Sequence, residues 1–360
     1  MYKLTFLFSF LMFTGYAQRP TPGSLGLKTP STLNCTEIKD QYNSSTCWSF
    51  SSNSFVESEL IKKGKGKQDL SEMFVARYSY IRKIKKHLSL KGKSFFTPGG
   101  QFHDVLWVMK NYGMVPESAY DGRPNGETHH NHAELDTVIS RFIRSMLQDN
   151  VTALNTRQEI YVDSVLDHYL GKVPASFIYK EKEYTPVSFL HNYLQLNPGD
   201  YIEITSYTHH PFYTTFILED KYNWASDYYY NVPINDFTNI TNHALQNGYT
   251  VGWDGDVEET GFDFHAGIAS LDYRIPDFQK ERQTTFEDKT TAIDHMMHII
   301  AQVRDKDDKP WYYVKNSWGN NNNALHGFLF MSDAFFKIKT GAIFVNKNAI
   351  APALRKKMRL

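Results

Sequence analysis

One of the two cysteines stands where the sequence predicts the start of an apolar helix, and this position constrains the chain more than any other feature. Cys47 follows Thr46, an acceptable helix N-cap, and Gly64 ends the segment. The apolar positions in between are Phe50, Phe55, Val56 and Leu60. Unpaired N–H groups at a helix N-terminus favour negative charge, so a cysteine there is suited to act as a thiolate. The alternative is a small buried core residue.

Two apolar runs far along the chain predict a β-hairpin that carries a histidine and an asparagine. Residues 292–300 contain His295, residues 311–319 contain Asn316, and the polar segment 305–310 predicts the turn. A hairpin would place the two side chains next to each other. A thiol nucleophile needs a base to take its proton, and an amide oxygen would hold one imidazole tautomer.

The segments around Cys47 and Asn316 resemble those of the papain-like cysteine peptidases. Cys47 opens Cys-Trp-Ser-Phe, and Gln41 stands six positions earlier, where the family places a side chain that helps form the oxyanion hole. The family's Asn-Ser-Trp-Gly motif begins at Asn316. The resemblance implies that Trp318 screens the Asn–His hydrogen bond from water, where it would be weaker.

The resemblance also selects between His295 and His298. Residues three apart on a strand point to opposite faces, so only one of the two can serve as the base. The apolar pair and β-branched run after His295 favour that residue, which leaves His298 as a solvent-facing or core histidine. One departure is that Ser45 and Thr46 replace the family's Gly-Ser or Gly-Ala before the cysteine.

The long gap between Cys47 and His295 narrows the resemblance. In papain and the cathepsins this gap is roughly 130–150 residues, so the present chain must carry a large insertion. Such an insertion, together with the segments 97–101 and 253–257, is similar to the bleomycin hydrolase branch, whose bacterial members are called aminopeptidase C.

Gly99 and Gly100 have two interpretations. A glycine backbone lets an extended peptide pair with it like an added strand because no Cβ intervenes, and the resemblance implies this substrate-binding role. The alternative is a plain turn before a helix at 102–111 that Gly113 ends.

The resemblance implies an α+β fold of the papain-like type, with a peptide-binding cleft between two lobes. The predicted helical lobe covers about 36–121, the insertion about 122–248 and the β lobe about 249–350, followed by a short basic tail at 351–360. A further helix is predicted near 162–170 within the insertion.

Composition is that of a folded enzyme. The 360 residues are 41% hydrophobic, which suffices for a sizeable core. The formal net charge of zero gives no global attraction for nucleic acid, so peptides and not nucleic acids are the expected partners. The resemblance implies no cofactor, and the hexamers of the branch make a homo-oligomer an implied possibility.

Two histidine-rich segments invite a metal hypothesis. His129, His130 and His132 form one, and residues 208–211 contain the other. No cysteine or carboxylate stands at metal-ligand spacing, so loop histidines are the favoured interpretation and no metal is predicted.

The first residues predict export through a signal peptide at 1–17. A lysine precedes the apolar run 4–13, and small residues ending at Ala17 provide the site that a signal peptidase reads. A membrane anchor is disfavoured because the run is shorter than about 20 apolar residues. We expect a mature peptidase domain at 18–360 that is periplasmic or secreted, without stable membrane insertion.

An exported chain with two cysteines also invites a disulfide, which the expected chemistry opposes. A Cys35–Cys47 bond would remove the reactive thiol, so Cys35 is predicted to be unpaired or packed.

These features together predict an exported cysteine peptidase that works through an acyl-enzyme. The resemblance makes an aminopeptidase the first choice, because the C-terminus in that branch reaches the cleft and selects substrates with a free amino end. The basic residues Arg355, Lys356 and Lys357 would repel such an amine, so a cysteine endopeptidase stays open. An inactive peptide-binding protein of this fold and a cysteine amidase are the remaining alternatives.

Overall fold

The computed structural model describes residues 20–271 and 273–360, so the predicted signal peptide lies outside the described residues. The helices are α1 Cys47–Lys62, α2 Glu72–Ser89, α3 Phe102–Tyr112, α4 Ala133–Gln148, α5 Thr156–Leu170, α6 Pro186–Ser188, α7 Ile234–Gln246, α8 Phe278–Glu287, α9 Asp333–Lys339 and α10 Pro352–Lys357. The strands are β1 Phe177–Tyr179, β2 Lys182–Tyr184, β3 Tyr201–Thr205, β4 Thr215–Ile217, β5 Tyr228–Asn231, β6 Val251–Gly255, β7 Phe262–Asp263, β8 Ile268–Ala269, β9 His295–Arg304, β10 Pro310–Lys315, β11 Phe328–Ser332 and β12 Thr340–Asn346. Within these described ranges, no helix is long and apolar enough to span a membrane.

A ten-stranded sheet runs in the order β4-β5-β3-β12-β6-β9-β10-β11-β8-β7, and β1 and β2 form a separate hairpin. β9 and β10 form the antiparallel hairpin that the apolar runs predict, with Lys315 opposite His298. On its other side β9 pairs with β6, where Gly255 lies opposite His295. The α+β class is confirmed, and these pairings place His295 at the first position of a central strand.

Helix α1 is buried along almost its whole length between the other helices and the sheet. Serines form its contact with β9: Ser51 Oγ donates to the carbonyl oxygen of Met297 at 2.6 Å, and Ser54 Oγ lies 2.9 Å from His298 Nδ1. These bonds satisfy polar groups that are out of contact with water. The N-terminal end of α1, at Cys47, therefore lies beside the start of β9.

The two faces of the sheet pack against different apolar clusters. Phe344 of β12 faces the helical layer, where its ring stacks on Phe102 with centroids 4.7 Å apart. Ile343 and Val345, the neighbours of Phe344, face the opposite cluster under α7 and α9. Each fully buried side chain of this size contributes about 1.5–3 kcal/mol of hydrophobic stabilisation. Because successive side chains of β12 point alternately to the two clusters, this one central strand contacts both lobes.

The structure divides the chain between the lobes differently from the predicted boundaries. Strands β3, β4 and β5 come from the segment 122–248, predicted to be an insertion, yet they belong to the ten-stranded sheet. Helices α4 and α5 from the same segment pack on the helical core, through residues such as Leu135, Ile139 and Leu166. These strands are short and lie between polar loops. β3 pairs with β12, β5 with β3 and β4 with β5, and this pairing stabilises them more than any local preference does.

Ion pairs of Lys39 hold the segment before Gln41 against the helical layer. Lys39 Nζ lies 2.8 Å from Glu72 and 2.6 Å from Asp69. Burial raises the pKa of the Glu72 carboxyl to about 7, against the opposing effect of Lys39. Loss of Lys39 would leave a buried carboxylate unpaired, which is strongly destabilising.

Two glycines that follow helices provide a test of the packing. Gly113 ends α3 as predicted, with a φ of 85°, and a Cβ there would lie 2.3 Å from the carbonyl oxygen of Pro186. Gly64 follows α1 with a φ of 74°, and a Cβ there would meet nothing within 4 Å. We expect Gly64→Ala to lower the free energy of unfolding by about 1–2 kcal/mol, the cost of a left-handed backbone. Gly113→Ala should cost about 1–3 kcal/mol more, because the backbone must also move.

Urea unfolding of both variants measures this difference. Equal losses of stability would contradict the close approach between the end of α3 and Pro186.

Candidate active site

A cleft of about 480 Å³ between the helical layer and the sheet brings the predicted site residues together. The predicted residues that line it are Gln41, Cys47, Gly99, Gly100, His295 and Trp318. Asn316 does not line the cleft and lies behind His295, to which it is hydrogen-bonded.

Cys47 is the first residue of α1, as predicted, and its side chain is partly exposed. Thr46 occupies the N-cap position, but its hydroxyl lies 2.5 Å from Ser44 Oγ and does not cap the helix. The backbone N–H groups of Trp48 and Met296 face the sulfur. Amides of the first turn are thus available to a negatively charged sulfur or substrate oxygen.

Asn316 orients the imidazole of His295. His295 Nε2 lies 2.8 Å from Asn316 Oδ1, and the Ser317 backbone N–H donates to the same oxygen at 2.8 Å. Because the Ser317 amide can only donate, this atom of Asn316 is the acceptor, and Nε2 must carry the imidazole proton. Nδ1 of the neutral ring is then free to accept the proton of a thiol.

Trp318 covers the hydrogen bond between His295 and Asn316. Its ring centroid lies 4.6 Å from that of His295, and Phe262 and Phe264 support it edge-on. Asn316 is only 2% exposed. A hydrogen bond shielded in this way is stronger than one in water, so the predicted screening geometry is present.

Burial disfavours the charged form of each catalytic candidate taken alone. It raises the pKa of the Cys47 thiol to about 12, with a further contribution from the nearby Asp254 carboxylate. It lowers the pKa of His295 to about 4, against the opposing hydrogen bond to Asn316. A lone thiolate or a lone imidazolium is costly here, and the two charges are favoured only as a pair.

Ser317 also orients Gln41, and this link was not apparent from the sequence. Gln41 Oε1 accepts a hydrogen bond from Ser317 Oγ at 2.7 Å, and the Gln41 backbone N–H donates to the Ser317 carbonyl at 2.8 Å. An isolated bridge between Asp40 and Trp318 continues this pairing. With the amide oxygen engaged, the NH₂ of Gln41 is the group available to donate into the cleft, as an oxyanion site requires.

The loop with Gly99 and Gly100 forms one wall of the cleft. Lys83 Nζ donates to the Gly99 carbonyl from behind. A Cβ at Gly99 would lie 2.7 Å from Tyr222, and one at Gly100 would lie 2.9 Å from the Trp48 ring. Close packing therefore excludes side chains at both positions and leaves bare backbone at the wall. Their predicted role in binding substrate backbone stays a prediction.

His298 is the core histidine of the pair. Its side chain is buried against Ser54 of α1, outside the cleft. Burial lowers the pKa of His298 well below its ordinary value. His295 is the histidine that reaches the cleft, as predicted.

Cys35 is a free thiol that packs in a small apolar cluster with Leu27, Ile300 and Trp311. Burial raises the pKa of this thiol. The prediction of a packed residue is confirmed, and this environment does not favour a reactive thiolate.

Sequence reasoning missed three carboxylates that line the cleft, namely Asp254, Glu258 and Asp294. Only indirect indications of these residues were present in the sequence. Asp254 belongs to the segment 253–257, noted only for its resemblance, and Asp294 precedes the candidate base. Tyr222 was also missed, because its loop reaches the cleft only through the pairing of β4 and β5 into the sheet.

In the folded protein, His209 and His210 lie beside a carboxylate that is not near them in the sequence. The oxygens of Glu219 lie 3.0 Å from His209 Nε2 and 2.7 Å from His210 Nε2. Gln283 donates to His209 Nδ1 at 2.9 Å, and its amide oxygen accepts from the Thr208 backbone N–H. A neutral imidazole that accepts at Nδ1 carries its proton on Nε2, where a metal would need a lone pair. The geometry is that of a hydrogen-bonded cluster, and we assign it no metal.

A cysteine at a helix N-terminus, facing a histidine and an asparagine carried by an antiparallel hairpin, defines the class: this is a cysteine-type peptidase with the papain-like α+β fold. The chain belongs to the Peptidase C1-like family, whose sequence profile matches residues 81–359. The matched segment contains His295 and Asn316, and Cys47 and Gln41 precede it.

Curated relatives are similar over most of the chain. Aminopeptidase C of Streptococcus thermophilus is 24% identical in an alignment 367 positions long, and the alignment covers 87% of this chain and 80% of that protein. Aminopeptidase G of Lactobacillus delbrueckii subsp. lactis is 23% identical in an alignment 359 positions long, which covers 86% of this chain and 80% of that protein. The roles of individual site residues stay predictions.

A solved structure shares the fold. The crystal structure of PepW from Lactobacillus rhamnosis matches with a TM-score of 0.71 at 20% identity. The match covers 93% of this chain and 85% of that chain. The fold is therefore shared with that protein over most of the chain.

The pH dependence of thiol alkylation tests His295 as the base. In His295→Ala the thiol of Cys47 loses its proton acceptor, and burial keeps its pKa above the ordinary value. We expect alkylation by iodoacetamide to be slow at neutral pH and to rise about tenfold per pH unit up to pH 10, because only the thiolate reacts. The unmodified protein should react faster at neutral pH.

His298→Gln is the matched control from the same strand, and it should keep the profile of the unmodified protein. A wild-type profile in His295→Ala, or loss of neutral-pH reactivity only in His298→Gln, would reject His295 as the base.

Proposed function

We propose that this protein is a cysteine aminopeptidase that hydrolyses peptide bonds through a thiolate acyl-enzyme. The observation that carries the proposal is the linked set of side chains at one cleft. Ser317 orients both Asn316 and Gln41, Asn316 orients His295, and His295 shares the cleft with Cys47. An inactive peptide-binding protein has no need for this set.

The proposed reaction assigns one step to each group. His295 Nδ1 takes the proton of Cys47, and the thiolate attacks the peptide carbonyl carbon. The negative oxygen that forms is stabilised by the Gln41 NH₂ and by N–H groups at the start of α1. His295 then gives its proton to the leaving amine, and water attacks the thioester to release the acid and restore the thiol.

Preference for a free amino end is supported by the curated names of the relatives, two of which are aminopeptidases C and G. The resemblance implies a C-terminal tail that reaches the cleft. Residues 351–360 do not adopt this arrangement. α10 lies on the sheet lobe, where Met358 is 3% exposed and Lys357 Nζ donates to Tyr213.

Labelling and cleavage with matched substrates test the proposal. A cysteine-directed epoxide should modify Cys47, and Cys47→Ser should lose both labelling and hydrolysis, because a hydroxyl in this site is a far weaker nucleophile. Peptides with a free amino end should be cleaved, and their N-acetylated counterparts should not. Mass spectrometry and product analysis give both readouts.

Absence of label at Cys47 in folded protein would reject the peptidase mechanism. Equal cleavage of free and blocked peptides would replace the aminopeptidase with an endopeptidase.

We further propose export, which rests on residues 1–17 alone. The mature protein should begin at Gln18 and be recovered outside the cytoplasm, and Leu11→Lys should block processing by interrupting the apolar run. Intact mass and cell fractionation measure this. Cytoplasmic protein that still begins at Met1 would contradict it.

A further inference from the structure

The charged side chains described at the cleft are acidic. Three carboxylates line it, and no lysine or arginine is found among its described lining residues. Glu258 is exposed and Asp294 is half-buried, whereas Asp254 is only 2% exposed. The cleft is therefore suited to a ligand group that carries a positive charge.

Asp254 is a buried carboxylate whose hydrogen-bonding capacity is only partly satisfied. The Gln101 side chain donates one hydrogen bond to it, while Oδ2 has no partner among the described residues. The charges that affect it most strongly are the carboxylates Asp220, Glu203 and Asp294, of which Glu203 is itself paired with His103 at 2.7 Å. A buried carboxylate without a cation is costly, which points to a ligand that completes the site.

The position of Asp254 next to the nucleophile limits what that ligand can be. Asp254 of β6 lies opposite Met296 of β9, and the Met296 backbone N–H faces the sulfur of Cys47. In a peptide, the α-nitrogen is two bonds from the carbonyl carbon of its own residue. The group that holds the nitrogen must therefore lie close to the sulfur, as Asp254 does.

We propose that Asp254 binds the terminal ammonium group of the peptide substrate, with Oδ2 as its hydrogen-bond acceptor. This inference rests on the proposed aminopeptidase function. Asp294, whose Oδ1 accepts from the Val257 N–H at 3.0 Å and whose Oδ2 has no described partner, flanks the same position.

The protonation of Asp254 is consistent with this role. Burial raises the pKa of its carboxyl well above the ordinary value, so the charged form is disfavoured in the empty cleft. An ammonium ion within hydrogen-bond distance favours the ionised form. In the complex, a strong charge-assisted hydrogen bond to the ammonium group offsets the cost of burying the carboxyl.

Three fluorogenic substrate types test the proposal with Asp254→Asn, which keeps the shape of the side chain. Leucyl-aminomethylcoumarin has a free amine, isocaproyl-aminomethylcoumarin lacks only that amine, and N-acetylated dipeptidyl substrates carry either lysine or leucine before the reacting residue. We expect Asp254→Asn to lower kcat/KM for the leucyl substrate on the order of 10- to 100-fold, mainly through KM, as for loss of a hydrogen bond to a charged group. Hydrolysis of the isocaproyl substrate should not change.

Two controls separate a specific contact from general effects. Glu258→Gln removes an exposed carboxylate from the same cleft and should cost less than about threefold, because exposed charges are screened. Epoxide labelling of Cys47 no slower than in the unmodified protein shows that the variant's site is intact, because removal of the Asp254 charge favours the thiolate. In the unmodified protein, leucinamide should slow alkylation of Cys47 while isocaproamide should not, which tests the contact without any variant.

The outcomes distinguish this inference from the proposed function. If the unmodified protein prefers the leucyl substrate and Asp254→Asn keeps that preference, only the role of Asp254 is overturned. If Asp254→Asn weakens only the N-acetylated substrate with lysine, the site binds a basic side chain, and the terminal ammonium assignment is wrong. If the unmodified protein is not labelled at Cys47, or shows no preference for a free amine, both proposals fail.

Discussion

The docking of helix α1 on strand β9 is the contact on which the rest of the site depends. α1 begins at Cys47 and β9 begins at His295, so a helix fixed along the strand brings nucleophile and base to the same cleft. The bonds from Ser51 and Ser54 to β9 set this alignment. A buried polar group that loses its partner costs about 1–3 kcal/mol, so sliding the helix along the strand is disfavoured.

A second short segment coordinates the remaining groups. Ser317 uses its backbone N–H to orient Asn316 and its hydroxyl to orient Gln41, so the imidazole and the oxyanion donor are positioned by one residue. Burial then sets the charge preferences of the cleft. It disfavours an isolated thiolate or imidazolium, and it disfavours the charged form of Asp254 in the absence of a cationic ligand. The chemistry and the proposed selectivity thus have one physical origin, the exclusion of water.

Local sequence patterns predicted the elements whose apolar runs are long. The hairpin of β9 and β10, the start of α1 at Cys47 and the end of α3 at Gly113 were all found in this way. The same reasoning failed for β3, β4 and β5, which are three to five residues long and take their stability from neighbouring strands. It also missed the contact of Glu219 with His209, because a pairing across a folded segment leaves no local period.

The sequence by itself determined the class of chemistry, because a nucleophile, a base, an orienting amide and an oxyanion donor each require a particular residue type. Cys47, His295, Asn316 and Gln41 were therefore predicted for these roles without coordinates. Tertiary structure decided what depends on distance and solvent exclusion. It placed His298 in the core, held residues 351–360 on the sheet lobe, and turned Asp254 from one of 39 acidic residues into a buried acid beside the nucleophile. Burial and pairing across the chain are properties of the whole fold, and no single segment encodes them.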